Sequence, residues 1–399
     1  MENTVNLNTA SSEEIRTGQT VRFGAVDILR GILIFAVVLS HAWFAEADIL
    51  GNWFPYCLHA FFFLSGYTYK PGRGYAKNLW KRIVTILVPY IVFSILCNLC
   101  YPIYVDLVNS PFVQDSSAIW KGFFTANAMN MLMSTPMWFL AALMTTSLVF
   151  LAIADKVRDS LPKTLITVGI LIVIALAVNI LKVQLCPLRA RNAVTLFVSD
   201  EAFPWYIDLV PFSTAMMLLG SYAGGKKWFT KINLKLFILA VVLTAVCFIM
   251  NHWFPGSGKT SVVRYVNDNH WYGVLTAFVI AVSGTVGTLI ICNIFDKIPV
   301  LRDIIKWMGR NSIWILCIHY CVIMLVELKI YNMGYLTCSI MDIITKEMFG
   351  YGFVIDKPKD IVIKVAVAIF SILVSGVYAV LHNLVKKQIK KLTAKKKEA

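Results

Sequence analysis

The sequence shows no second CxxC motif, no signal-peptide pattern and no obvious internal repeat. Its nine cysteines are scattered along the chain, and the lone CxxC, Cys97-Asn98-Leu99-Cys100, falls in an apolar stretch. Neither a disulfide framework nor a zinc site is therefore indicated, and we expect no metal. The lack of a repeat counts against a transporter, since many transporters are built from repeated halves.

Acidic residues are also few, with 22 Asp and Glu against 37 Lys and Arg, which leaves a net charge of +15. The basic residues sit in short loops between apolar runs, a pattern typical of integral membrane proteins. This placement argues against a nucleic-acid partner. The chain is 58% hydrophobic with a mean hydropathy of +0.70, whereas soluble domains are usually about 45–50% apolar. An ordinary soluble domain is therefore excluded.

Apolar segments long enough to cross a bilayer, about 20 residues each, predict ten membrane spans. With one face taken as the inside, 25 Lys and Arg fall in inside segments and 10 in outside segments. This bias places both termini in the cytoplasm. The predicted fold is an all-α integral membrane protein with about ten transmembrane helices. The spans are 27–45, 53–69, 83–105, 136–154, 164–181, 209–223, 236–254, 271–293, 312–328 and 361–384.

The same reading divides the chain into three parts. Residues 1–26 form a polar cytoplasmic tail, residues 27–384 form the membrane domain, and residues 385–399 form a basic cytoplasmic tail. The N-terminal tail lacks the charged-then-apolar order of a signal peptide, so we expect the first span to be retained.

The first span carries two ionisable residues, Arg30 and His41. An arginine inside a span costs about 2.5 kcal/mol or more, so such residues are candidate functional groups. Eleven residues separate Arg30 from His41, and over that distance a helix makes about three full turns, to within about 20°. The same stretch rises by about 16 Å. The two side chains therefore share one face, with Arg30 near the inner boundary and His41 deeper. The structural alternative is an arginine that reaches lipid headgroups and an interfacial histidine.

The second span contains another ionisable residue, His59, and a Ser65-Gly66 pair that allows close helix approach. A basic cluster follows at once and consists of Lys70, Arg73, Lys77, Lys81 and Arg82. Such a cluster can set topology and attract anionic lipid. It equally suits a site for a nucleotide diphosphate.

Several motifs together resemble the acyltransferase-3 family of bacterial polytopic membrane O-acyltransferases. The resemblance covers about residues 27–320 and keeps the family's order and spacing. One departure is Leu316-Cys317-Ile318, where the family often has a Tyr-Leu pair before the histidine. The matching elements are Asp27-x-x-Arg30-Gly31 with His41, Phe61-Phe62-Phe63-Leu64-Ser65-Gly66-Tyr67, Lys81-Arg82-Ile83 up to Pro89, Trp138-Phe139-Leu140, Pro211-Phe212 with Gly220, and Gly309-Arg310-Asn311-Ser312 leading to His319.

The resemblance implies a multi-pass protein of the bacterial cytoplasmic membrane. It would take an acyl group from acyl-CoA, with acetyl-CoA as the expected donor, and transfer it to a hydroxyl of a cell-envelope or exported glycan. His41 is the candidate general base, because a neutral imidazole suits that role near pH 7. Arg30, Lys70, Arg73 and Arg82 are the candidate CoA-phosphate ligands. The candidate supporting residues are Asp27, His59, Ser65, Trp138, Asp208 and His319. Asp27, three residues before Arg30, is expected to hold the guanidinium of that arginine in place.

Two other classes of function stay open at this point. One is a transporter or flippase for a small metabolite or lipid-linked sugar, with Arg30 and His41 on the translocation path. The other is a membrane sensor that binds a small molecule without turnover. The segment 189–208 places aromatic residues beside carboxylates, Asp208 among them, which suits sugar binding. Interfacial Trp and Tyr also form the ordinary aromatic belt of a membrane protein.

Overall fold

The computed structural model describes residues 24–42, 53–108, 116–127, 131–185, 203–229, 233–253, 273–296, 299, 301–336 and 357–398. Within these ranges the chain is helical and contains no β-strand. In chain order the helices are α1 (Gly24–His41), α2 (Cys57–Tyr67), α3 (Tyr75–Arg82), α4 (Val88–Asn98), α5 (Tyr101–Val108), α6 (Ser116–Thr125), α7 (Trp138–Val157), α8 (Leu161–Leu185), α9 (Val210–Gly225), α10 (Leu234–Trp253), α11 (Gly273–Phe295), α12 (Leu301–Arg310), α13 (Ser312–Asn332) and α14 (Pro358–Glu398). A π-helical turn, Ile83–Leu87, joins α3 to α4, and 3₁₀ turns, Leu132–Met137 and Pro204–Leu209, precede α7 and α9.

Eight helical stretches in the described ranges are long and apolar enough to cross a membrane. They correspond to eight of the ten predicted spans. The second and sixth predicted spans, 53–69 and 209–223, are instead helices of 11 and 16 residues. A helix rises about 1.5 Å per residue, so α2 covers only about half of a 30 Å hydrocarbon core. Hydropathy alone marks such segments as spans because it measures apolarity and not helix length.

The two short helices, α2 and α9, pack closely against each other. A Cβ atom on Gly220 of α9 would collide with the backbone of Phe63, and one on Gly66 of α2 would collide with the backbone of Met217. Small residues let helix backbones approach in this way inside a membrane. The close approach expected of Ser65-Gly66 is therefore confirmed.

Hydrogen bonds between helix ends and loops show which of the described segments lie at the same end of the bundle. At one end they join Asp27 to Arg310, Tyr69 to Asp155, Tyr67 to Trp228 and Asn293 to Phe229. At the other they join Asn332 to Leu107 and Trp205 to Phe124. The first set lies in or next to segments predicted to share the inner face, so the grouping of the loops agrees with the charge bias. The assignment of that face to the cytoplasm stays a prediction.

The helices differ in how much of their surface the bundle covers. The apolar windows of α1 and α11 are 61% buried, whereas that of α10 is 17% buried. α10 therefore forms the periphery, and α1 lies inside the bundle. The last helix, α14, continues from Pro358 to Glu398, so the predicted boundary at 384/385 falls inside one helix. Lys, Leu and Gln are good helix formers, and no Gly or Pro interrupts this part of the chain.

Candidate active site

Two histidines meet deep in the bundle. His41 is the last residue of α1, and His319 lies two turns into α13. The Nδ1 atom of His41 lies 3.0 Å from the Nε2 atom of His319. His319 is fully buried, and its Nδ1 atom lies 2.7 Å from the carbonyl oxygen of Ile315. His319 is therefore held by hydrogen bonds at both of its ring nitrogens, one of them to His41.

The hydrogen-bond pattern assigns the tautomers of this pair when both rings are neutral. A carbonyl oxygen can only accept, so Nδ1 of His319 carries its proton and donates to Ile315. Its Nε2 atom then has a free lone pair and accepts from Nδ1–H of His41. The remaining nitrogen of His41, Nε2, is left with an unprotonated lone pair. This arrangement is that of a general base with a second imidazole behind it.

An aromatic residue completes the surroundings of His41. The ring of Tyr320 meets that of His41 edge-on, with centroids 5.2 Å apart. The hydroxyl of Tyr320 is hydrogen-bonded to Thr135, in the 3₁₀ turn before α7. Contacts from α13 and this turn therefore limit the positions that the His41 ring can take.

Two arginines lie together at the end of α2. Arg30 donates to the Leu64 carbonyl, at 3.1 Å, and to the Thr68 hydroxyl, at 3.2 Å. Arg82 donates to the Ser65 hydroxyl at 2.7 Å and to the Ser65 carbonyl at 3.4 Å. The C-terminal end of a helix carries partial negative charge and attracts cations, and here the Leu64 carbonyl accepts from the Thr68 N–H as well as from Arg30. The C-terminal turn of α2 thus positions both guanidinium groups.

A cavity of about 210 Å³ lies between the two arginines and the histidine pair. Its polar side chains are at the arginine end, and its inner wall is apolar. Val37 and Leu316, on that wall, precede His41 and His319 by four and three residues, so the imidazoles lie about one helical turn beyond the lining. The lining residues are Arg30, Ile34, Val37, Leu58, Phe61, Ser65, Arg82, Thr85, Ile86, Phe139, Leu140, Leu143, Ser312, Ile313 and Leu316.

Asp27 has a partner on α12 that the sequence did not predict. Its Oδ2 atom accepts from Nε of Arg310 at 3.1 Å, and the expected role of holding the guanidinium of Arg30 stays a prediction. The carboxylate is 1% exposed, whereas Arg310 is 54% exposed. This ion pair fastens α12 to the start of α1. A Cβ atom on Gly309 would also collide with the carbonyl of Asp27.

The other predicted site residues divide into two groups. Ser65 lines the cavity, and Lys70 and Arg73 lie close enough to Lys81 to repel its charge, although neither lines the cavity. His59 is buried but packs on Phe212, with ring centroids 4.8 Å apart.

Trp138 and Asp208 belong to the opposite end of the bundle. Trp138 packs on Tyr206, with centroids 4.7 Å apart, and Asp208 is buried at the start of α9. Neither residue lines the cavity. Among the described residues, no three His, Cys, Asp or Glu side chains come together as a metal site.

Sequence reasoning missed the roles of Arg310 and Tyr320. Arg310 lies in the Gly-Arg-Asn-Ser element, and its charge near the membrane boundary was a signal for an acidic partner. Tyr320 follows His319 directly, but nothing in the sequence indicates that its ring meets His41, because that contact joins two helices far apart in the chain.

The fold and the site together define a multi-pass membrane protein whose cavity leads from two arginines to a buried imidazole pair. Residues 23–380 match the acyltransferase domain of the acyltransferase-3 family. The chain therefore belongs to that family and is a membrane acyltransferase. The comparisons with curated proteins and with solved structures gave no match.

Proposed function

We propose that this protein is an O-acyltransferase of the bacterial cytoplasmic membrane. It moves an acyl group, acetyl in the simplest case, from acyl-CoA to a hydroxyl of a cell-envelope or exported glycan. The observation that carries this proposal is the His41–His319 pair, in which His319 is fixed to the Ile315 carbonyl. A general base needs an imidazole whose free nitrogen has a fixed position, and this pair provides one.

The arginine end of the cavity supports a polyanionic donor. Arg82 makes its hydrogen bonds to a neutral hydroxyl and a carbonyl. In the part of the chain that the structure describes, no carboxylate pairs with it, so its charge is available to a ligand. Guanidinium groups bind phosphate through paired donors, which suits the diphosphate of CoA.

The apolar wall of the cavity supports the position of the thioester. With phosphates at Arg30 and Arg82, the pantetheine arm would extend past Ile34 and Val37 toward the histidines. Arg30 and His41 are separated by about 16 Å along α1, a length comparable with an extended pantetheine arm. The thioester carbonyl would then lie near Nε2 of His41.

The reaction is a direct transfer. Nε2 of His41 takes the proton of the acceptor hydroxyl as its oxygen attacks the thioester carbonyl carbon, and a C–O bond forms. The tetrahedral intermediate collapses when the C–S bond breaks and the electron pair leaves with the CoA sulfur. His41 then gives its proton to that sulfur, so CoA leaves as the thiol and the ester remains on the acceptor. General-base assistance of this kind contributes about 10²–10⁴-fold in rate.

His319 has the role of a positioning residue. Its Nε2 lone pair accepts the Nδ1–H of His41, which keeps the free lone pair on the Nε2 atom of His41. When His41 becomes an imidazolium, the same hydrogen bond becomes charge-assisted and stronger. His319 therefore stabilises the charged form without touching the substrate.

Aromatic side chains at the opposite end of the bundle support a glycan acceptor. Trp138 and Tyr206 pack together there, and Trp205 lies beside Tyr90. Flat aromatic surfaces combined with polar groups suit the mixed faces of a sugar ring. An acceptor that approaches from this end and a donor from the arginine end would meet at the histidines.

The test uses the purified full chain and acetyl-CoA. Thermal stabilisation by acetyl-CoA reports binding, and thiol release in the presence of an acetylatable glycan reports transfer. We expect His41→Ala to abolish thiol release while stabilisation by acetyl-CoA remains. The matched control is His252→Ala, since His252 is an exposed histidine at the end of α10. Unchanged thiol release in a folded His41→Ala protein would overturn the proposal.

A further inference from the structure

A buried arginine outside the cavity has donors that no described residue satisfies. Arg158 follows α7 directly and is only 8% exposed. Among the residues that the structure describes, its Nε and Nη1 atoms have no hydrogen-bond partner. One carboxylate, on Asp159, lies 3.8 Å from Nε, beyond hydrogen-bond distance, and that side chain is 91% exposed.

Burial makes this arrangement costly. A buried charged donor without an acceptor loses its hydration, and the loss exceeds what an exposed neighbouring carboxylate returns. Asp159 can stay in water, so it does not compensate Arg158. The guanidinium is therefore suited to an acceptor from outside the chain, and a strong acceptor for a guanidinium is a phosphate.

The surroundings of Arg158 hold its guanidinium in one place. A Cβ atom on Gly225, at the end of α9, would collide with it. On another side it lies 5.9 Å from the ring centroid of Tyr69, an arrangement that attracts a cation to the aromatic face. The group is thus packed between the ends of α7 and α9.

A second carboxylate next to this cluster, that of Asp155, is already hydrogen-bonded. The Tyr69 hydroxyl donates to Asp155 at 2.9 Å and lies 3.4 Å from the Nδ2 atom of Asn78, from which it accepts. Burial, followed by that bond to Asp155, raises the pKa of Tyr69 to about 12. The hydroxyl therefore stays protonated and keeps Asp155 occupied near neutral pH.

Tyr69 also connects this cluster with the cavity. Both Arg158 and Arg82 lie close enough to interact with its hydroxyl electrostatically. The chain thus has two arginine positions on the same side of the bundle, one at the cavity and one a short distance away. CoA likewise carries phosphate in two neighbouring places, the diphosphate and the monoester on the ribose 3′-oxygen.

We propose that Arg158 binds the ribose 3′-phosphate of CoA, while Arg30 and Arg82 bind the diphosphate. This inference rests on the proposed function, because it requires an acyl-CoA donor. It makes Arg158 the residue that distinguishes CoA from dephospho-CoA, which differs only in lacking the 3′-phosphate.

The experiment compares CoA with dephospho-CoA, bound to the full chain in nanodiscs of zwitterionic lipid. The native protein should bind CoA about ten- to hundredfold more tightly, as expected for a charged hydrogen-bonded group. Arg158→Gln should weaken CoA binding by that factor and leave dephospho-CoA binding unchanged. Arg158→Lys keeps the charge without the paired donors, so its discrimination should be intermediate. Asp159→Asn, the control, should discriminate as the native protein does.

Several results would overturn the assignment. Equal affinities of the native protein for CoA and dephospho-CoA would remove the 3′-phosphate from the site and leave the proposed function standing. Absence of binding by either compound would remove the proposed function itself. If Arg158→Gln weakened the binding of CoA and of dephospho-CoA equally, the substitution would have a general effect on the site and not one on the 3′-phosphate. If phosphatidic acid in the nanodiscs stabilised the native protein but not Arg158→Gln, with unchanged CoA discrimination, the ligand would be a lipid phosphate. The native comparison and Arg158→Lys decide the question even if Arg158→Gln fails to fold.

Discussion

The Nδ1 atom of His41 lies 3.0 Å from the Nε2 atom of His319, although 278 residues separate the two in the sequence. This contact joins the first transmembrane helix to α13. The other ring nitrogen of His319 is held by the Ile315 carbonyl, and the ring of His41 also meets the ring of Tyr320. The proposed catalytic base therefore depends on the packing of two distant segments.

Replacement of His319 tests the positioning role directly. His319→Ala removes the acceptor for Nδ1–H of His41, so the base loses both its orientation and the stabilisation of its charged form. We expect kcat to fall by about 10–100-fold, less than the roughly 10²–10⁴-fold that a general acid or base contributes itself, while the KM for acetyl-CoA stays nearly constant. His319→Gln, which can still accept a hydrogen bond, should recover part of the rate. A purely structural role would instead lower the amount of folded protein without this split between kcat and KM.

Replacement of Arg82 tests the donor site. Arg82→Lys keeps the positive charge but loses the paired donors, so acetyl-CoA should bind about tenfold more weakly. Because this interaction is the same before and during the reaction, kcat should change little. Ser65→Ala removes the 2.7 Å acceptor that orients Arg82 and should weaken binding by a smaller factor. Lys386→Ala, in the exposed part of α14, is the matched control, and isothermal titration measures the three variants and the native protein. Unchanged affinity in Arg82→Lys would contradict the assignment.

Much of the site follows from spacing within single helices. Arg30 and His41 were expected on one face of the first span, and the structure places Arg30 on the cavity wall with His41 one turn beyond it. The resemblance also singled out His319 and Ser65. Helical periodicity predicts such relations because both residues belong to one rigid element.

The relations between helices could not be predicted in the same way. Periodicity gives the face on which a residue lies, but it does not say which neighbouring helix covers that face. His59 and His319 are both ionisable residues inside predicted spans, so the sequence did not distinguish them. His59 nevertheless packs on Phe212 and does not line the cavity. The contact of Asp27 with Arg310 joins α1 to α12, far apart in the chain, so spacing on α1 could not indicate it. The half-length α2 was also hidden, since apolarity does not reveal where a helix begins.

Loss of Asp27 and loss of Arg310 should lower the stability of the protein by different amounts. Arg310→Ala leaves the carboxylate of Asp27 buried without its 3.1 Å partner, whereas Asp27→Asn leaves a guanidinium that is 54% exposed and can turn to water. Removal of one partner from a fully buried ion pair costs about 3–5 kcal/mol, and since Arg310 is 54% exposed the cost here should be smaller. We expect Arg310→Ala to lower the thermal midpoint clearly more than Asp27→Asn does. The double variant should recover part of that loss, because the buried charge is then gone. Equal losses from the two single variants would show that burial of Asp27 does not decide the result.

The close packing of α2 on α9 can be tested with two glycines that sit in opposite environments. A Cβ atom on Gly220 would collide with the backbone of Phe63, whereas one on Gly169, in α8, would meet no atom within 4 Å. Gly220→Ala should therefore push α2 away from α9 and destabilise the protein by about 1–3 kcal/mol, the usual cost of overpacking. Gly169→Ala should stabilise it by about 0.5–1 kcal/mol, since alanine is the better helix former. Because Arg30 and Arg82 are both held by the end of α2, Gly220→Ala should also weaken acetyl-CoA binding, which Gly169→Ala should leave unchanged. Thermal unfolding and acetyl-CoA titration of the two variants measure both effects. If Gly220→Ala proved as stable as Gly169→Ala, the two helix backbones could not lie as close as they do in this structure.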